Sequence, residues 1–114
     1  MKVMTYKDAY TLGIAILQRE DLCELLRQLD SCKKEIGRIA LDMKVENRLM
    51  IRDGLQELTA LGLVSTIIHK NVKPMQIEYA LTNRGAKFLR AVKTIWETGE
   101  EIRKEYEIGR ASCR

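Results

Sequence analysis

Residues 77–85 read Ile77-Glu78-Tyr79-Ala80-Leu81-Thr82-Asn83-Arg84-Gly85. Ile77, Tyr79 and Leu81 alternate with Glu78 and Ala80, the period-two pattern that puts three side chains on the buried face of a strand. Thr82 follows at once. A threonine here is a helix N-cap, its hydroxyl accepting from the orphan amides of the next turn. The stretch therefore changes from strand to helix within one residue. Upstream, Val72-Lys73-Pro74 makes a basic, turn-forming tip, and Thr66 to Lys70 forms the partner strand. The spacing predicts a β-hairpin over 66–81 that delivers the chain directly into a helix.

Three helical segments precede the hairpin. The first runs from Tyr6 to Arg19, with Ala9, Leu12, Ile16 and Leu17 on one side. Asp21 is placed to cap a continuation in which Leu22, Leu25, Leu26 and Leu29 repeat at i, i+3, i+4, i+7, a core-facing stripe. Periodicity alone leaves open two helices or one bent helix. Asp30 or Ser31 then caps a segment with Ile36, Ile39, Ala40 and Met43 on one face, fading in Lys44-Val45-Glu46. Asn47 is an N-cap for a helix ending at Leu61, with Gly62 at the left-handed stop position. Its core face is Ile51, Leu55 and Leu58. Arg48 and Arg52 flank that stripe, and Leu49, Met50 and Asp53 lie on the far side.

After Thr82 comes the longest helical stretch, Asn83 to Glu107, with Phe88, Leu89, Val92, Ile95, Trp96, Ile102 and Tyr106 as an apolar stripe interrupted at Gly99. At 1.5 Å per residue it spans about 35 Å, more than a small core covers. Its far end is predicted to meet a second chain through Phe88, Val92, Ile95, Trp96 and Ile102. The alternative is that Trp96 only completes the core of its own protomer. Residues 109–114 lose all periodicity and are assigned to a tail outside a single domain, 1–108.

This order of elements is mainly α with a small β-hairpin: a winged helix-turn-helix with a long C-terminal dimerisation helix. In that layout the helix 47–61 is a recognition rod, and the major groove of DNA is wide enough to admit it. Arg48 is the candidate for a bidentate contact to guanine, and Arg52 for a base or a phosphate. Asn47, Leu49 and Met50 complete the leading turn. The two apolar residues either pack on thymine methyl groups or bury against a partner. On the wing, His69, Lys70 and Lys73 are candidates to neutralise phosphates and fix register, carrying little sequence information. The bland reading of Arg48 and Arg52 is a solvated helix face. Gly54 costs about 1 kcal/mol relative to alanine inside a helix, which points to a neighbouring helix or a DNA backbone close by.

Local charge says more than the total. Glu78 is the only acid between Thr66 and Arg90, against Lys70, Lys73, Arg84, Lys87 and Arg90. Over all 114 residues the net charge is only +4, compatible with a polyanionic partner. With 46% apolar and 32% charged residues the chain reads as one soluble domain. The apolar run Ala9 to Leu17 is too short to span a bilayer, and nothing resembles an export signal. Cys23, Cys32 and Cys113 are odd in number and widely spaced, so a disulfide framework is not expected and a reducing, cytoplasmic setting is. Catalysis finds no support: His69 is the only histidine, no glycine-rich phosphate loop occurs, and carboxylates fall at intrahelical spacings such as Glu100 with Lys104. No cofactor and no metal are expected.

Leu58 to Val64, the Pro74 tip, Ile77-Glu78-Tyr79-Ala80-Leu81-Thr82 and Gly85 together resemble the HxlR-type winged helix-turn-helix transcriptional regulators, over about Leu25 to Gly99. The Leu81-Thr82-x-x-Gly85 element is shared with MarR-type and PadR-type regulators; Glu78-Tyr79 after a proline-bearing tip favours the HxlR type. The resemblance implies a homodimeric regulator, most simply a repressor, binding a short inverted repeat of double-stranded DNA through the helix from Asn47 and the wing. The acidic end of the last helix (Glu97, Glu100, Glu101, Glu105, Glu107) would then face away from DNA. Two departures stand out. Family members usually carry small polar residues near the positions of Leu49 and Met50. Many carry a cysteine before the first helix, whereas Met1 to Lys7 has none, so thiol sensing is not carried over. Cys23 and Cys32 read instead as buried small hydrophobes. The competing reading is a winged-helix protein-interaction module without DNA binding, with Leu49 and Met50 as its contact surface.

Overall fold

Five helices and one hairpin follow each other along residues 6–112, the part of the chain that the computed structural model describes. They are α1 (Ala9–Leu17), α2 (Glu20–Gln28), α3 (Ile36–Met43), α4 (Arg48–Ala60), β1 (Val64–His69), β2 (Gln76–Leu81) and α5 (Asn83–Ser112). The core gathers the four leucines of the α2 stripe with Ile39, Ile51, Leu55, Leu58, Val64, Tyr79 and Leu89, all buried. Amphipathic periodicity thus drives α2, α3 and α4 around one apolar centre, and the hairpin closes it with the Tyr79 face of β2.

α1 and α2 are two helices, separated at Gln18 and Arg19. α1 begins at Ala9, because the Asp8 carboxylate accepts from the Thr11 amide at 2.8 Å. Asp21 does not cap α2. It lies in the first turn, where its charge suits the helix dipole, and Arg19 grips it at 2.9 Å. The same guanidinium reaches Glu57 of α4 at 3.1 Å, which fixes the corner between the two helices.

The start of α3 also differs from expectation. Neither Asp30 nor Ser31 caps it; Glu35 occupies that position without a side-chain bond. The reason is tertiary. Lys34 is drawn into a single bridge beside β2, its amide donating to the Tyr79 carbonyl at 2.9 Å and its carbonyl accepting from the Tyr79 amide at 2.8 Å. The chain is thereby held extended up to the first turn of α3. Cys32, in this same connection, is exposed, which corrects the expectation of a buried thiol; Cys23 is buried as expected. α3 stops at Lys44, which adopts a left-handed φ of 58°, while the Val45 amide bonds the Ala40 carbonyl at 3.0 Å.

α4 is capped as read: the Asn47 side chain accepts from the Leu49 amide at 3.1 Å. It is stopped by Gly62 at φ +75°. The neighbour that keeps Gly54 free of a side chain is α2, since a Cβ there would come within 2.5 Å of the Leu25 side chain. β1 starts at Val64, two residues before the predicted strand, because Val64 itself is buried. It pairs antiparallel with β2 in the register Val64↔Leu81 to His69↔Gln76, leaving Lys70 to Met75 as the turn. The Lys73-Pro74 peptide is cis.

The junction of hairpin and α5 is built from Thr82 and Gly85. The Thr82 hydroxyl accepts from the Gly85 amide at 3.0 Å, and the Thr82 amide donates to the Leu63 carbonyl at 3.1 Å. A Cβ on Gly85 would overlap that same Leu63 carbonyl, so only glycine lets the first turn of α5 lie against the end of α4. α5 then continues to Ser112, so the backbone of 109–112 is helical; residues 113–114, the rest of the expected tail, lie outside the described residues, as do residues 1–5.

Candidate nucleic-acid interface

α4 divides cleanly into two faces. Ile51, Leu55 and Leu58 are buried, while Leu49, Arg52, Asp53 and Gln56 repeat at i, i+3, i+4, i+7 on the open side. Leu49 and Met50 are 59% and 65% exposed, an unusual position for two large apolar side chains. The first turn itself holds no acid, Glu46 standing just before the Asn47 cap, so the exposed side chains within that turn are basic or apolar. An exposed helix start of this kind suits an anionic partner.

The predicted contact residues fall in different situations. The Asn47 side chain is engaged in the cap. The Arg48 guanidinium lies back against α3, 3.5 Å from the space a Cβ on Gly37 would take, and meets no carboxylate among the described residues. Arg52 is exposed and only loosely placed against Asp53, at 4.0 Å. Lys70 and Lys73 are exposed on the wing turn without an ion pair among the described residues. His69 is different: its Nε2 sits 2.5 Å from the Glu78 Oε1, so it is committed within the hairpin. Sequence reasoning missed Lys44, an exposed and unpaired cation in the turn between α3 and α4. Lys44 stands between Asp42 and Glu46, so no local run of charge signals it, and a left-handed lysine is not foreseen from residue type.

Other charges are spent on holding the scaffold. Lys34 meets Asp42 at 3.0 Å, and Arg38 meets the same carboxylate at 3.2 Å. The hydrogen bond from Lys34 keeps the Asp42 carboxyl below the usual carboxylate range. Asp21 is lowered in the same way, chiefly by Arg19, and burial pushes the Cys23 thiol up. Such a thiol is poorly ionised and unreactive.

On α5 the candidate interface residues separate along the helix. Phe88 and Val92 are partly buried against the core of their own protomer. Ile95, Trp96 and Ile102 are 54%, 60% and 61% exposed. Trp96 therefore does not complete the protomer core; its ring carries the Arg27 guanidinium at 5.7 Å and is otherwise open. Among the described residues no group of three or more His, Cys, Asp or Glu side chains could hold a metal ion, and no helix is long and apolar enough to cross a membrane.

A helix-turn-helix with a hairpin wing, a long final helix and cations exposed on the leading turn and wing is the architecture of the winged-helix class. The chain belongs to the HxlR-like helix-turn-helix family, whose model matches residues 18–107. Three solved structures show the same fold. A MarR-family transcriptional regulator from Enterococcus faecalis V583 superposes with a TM-score of 0.79 at 20% identity, covering 94% of each chain. A MarR-family regulator from Porphyromonas gingivalis W83 gives 0.72 at 21%, covering 89% of this chain and 98% of the other. Diamide-treated YodB from B. subtilis gives 0.71 at 15%, covering 82% and 93%. No curated protein sequence matches the chain. Family and fold are those of transcriptional regulators.

Proposed function

We propose that the protein is a homodimeric repressor that reads an inverted repeat of double-stranded DNA with α4 and the wing. One observation carries the reading: α4 is anchored by Ile51, Leu55 and Leu58 while Arg48, Leu49, Met50 and Arg52 at its start are exposed, with no acid among them. Arg48 swings off α3 to contact a guanine edge, where an arginine makes two parallel bonds. Lys70 and Lys73 neutralise phosphates and set register. Ile95, Trp96 and Ile102 bury against their copies across a two-fold axis, which places two α4 helices about one DNA turn, near 34 Å, apart. Occupying a promoter is then enough to block it.

The exposure of Leu49 and Met50 favours a second reading, a winged-helix module that binds another protein with this surface. Selection from a random pool of duplexes, followed by affinity measured over a range of salt, separates the two. The repressor enriches a two-fold repeat whose affinity falls steeply with salt. Failure to hold any duplex at low salt supports the interaction module.

A further inference from the structure

Glu78 is the only carboxylate on the hairpin, and it stands on the wing that the proposed binding mode turns toward DNA. On charge alone, an acid near a polyanion weakens binding. Its surroundings point to a different role. Only 20% of its side chain is exposed, and two bases from separate elements converge on it: His69 Nε2 from β1 at 2.5 Å and Lys33 Nζ at 3.6 Å. Lys33 belongs to the connection that leads into α3. The next residue, Lys34, is bonded both ways to the Tyr79 backbone, and its side chain reaches Asp42 on α3 at 3.0 Å. An unbroken path of polar contacts therefore runs from β1 through Glu78 to the connection and on to α3, which packs on α4.

We propose that Glu78 is a positioning residue for DNA reading: by joining His69 to Lys33 it sets the tilt of the wing against the helix-turn-helix. Lys70 and Lys73 then meet phosphates in the register in which α4 meets bases. The inference rests on the DNA-binding reading above and adds to it an acid that strengthens the complex.

The test uses the full chain and a duplex selected from the random pool. Glu78→Gln removes the charge and keeps the shape. Positioning predicts affinity lower by roughly twofold to thirtyfold, the range for a residue acting through its neighbours, with an unchanged salt slope. Tighter or equal binding overturns the proposal. In the DNA-free protein, amide exchange at Lys34 and Tyr79 should quicken in the same variant; unchanged exchange overturns the link whatever happens on DNA. If the unsubstituted protein binds no duplex, the DNA-binding reading fails while exchange still reports on the link. Should Glu78→Gln unfold part of the sample, His69→Ala breaks only the β1 side and is judged by the same two readouts.

Discussion

The Thr82 hydroxyl donates to the Gly62 carbonyl at 2.6 Å, joining the cap of α5 to the stop of α4. The same oxygen accepts from the Gly85 amide. One side chain thus fixes how α4, the hairpin and α5 meet. Thr82→Ala removes the cap and leaves a part-buried carbonyl unpaired, and the expected loss is about 1–2 kcal/mol. Thr82→Ser keeps the hydroxyl and should stay close to the parent. The shift of the urea midpoint at constant slope measures both.

Two glycines should respond to alanine by different amounts. At Gly85 an added Cβ meets the Leu63 backbone, which cannot step aside without moving the junction, so Gly85→Ala is expected to cost about 2–3 kcal/mol. At Gly54 the obstacle is the end of the Leu25 side chain, and the helix gains about 1 kcal/mol of propensity from alanine. Gly54→Ala should therefore lie near neutral in the same unfolding experiment.

These residues also show what was legible in advance. Asn47, Gly62 and the capping bond of Thr82 to the Gly85 amide act within a turn of their own position and follow from residue type, whereas the reach of Thr82 to the Gly62 carbonyl, twenty residues away, does not. The starts of α2 and α3 do not follow either, because neither is set by a local cap: Arg19 is held by Asp21 and Glu57, and Glu35 follows a segment stretched by the distant Tyr79. The candidate site divides the same way. Exposure of Arg48, Leu49, Met50 and Arg52 follows from helical periodicity. The rest of Arg48 against Gly37 and the engagement of His69 by Glu78 depend on contacts across elements that no local pattern encodes.

Acid should weaken the corner between α1, α2 and α4. The Asp21 carboxyl is held below its ordinary value of 3.8, first by the hydrogen bond from Arg19. A lowered native value means that this contribution is complete above the unfolded value and is lost as pH falls through the native one. Asp42 and Asp8 shift in the same direction, Asp42 through Lys34 and Asp8 through the Thr11 amide. Stability is expected to decline from about pH 5 downward, and Asp21→Asn should make that decline shallower. The pair is partly exposed, so the difference is expected to stay below about 1 kcal/mol. Unfolding midpoints measured across the acid range provide the check.

Trp96 offers a large apolar surface that its own protomer leaves open. Trp96→Ala is expected to convert dimers to monomers at micromolar concentration while leaving the protomer folded. Sedimentation equilibrium should return the mass of one chain for the variant and of two for the parent. Equal masses would remove this residue from the interface.

If the protein binds DNA as proposed, cations of α4 and of the wing act on one stretch of duplex in different ways. Binding of the selected duplex and of single-base variants, measured against salt, tests this directly for Arg48→Ala and Lys73→Ala. Arg48→Ala should reduce discrimination at one base pair per half-site, by about 1–3 kcal/mol. Lys73→Ala should weaken all sequences alike and lower the salt slope by about one unit per protomer engaged. Equal, sequence-independent losses from both, or binding that does not depend on salt, would contradict it.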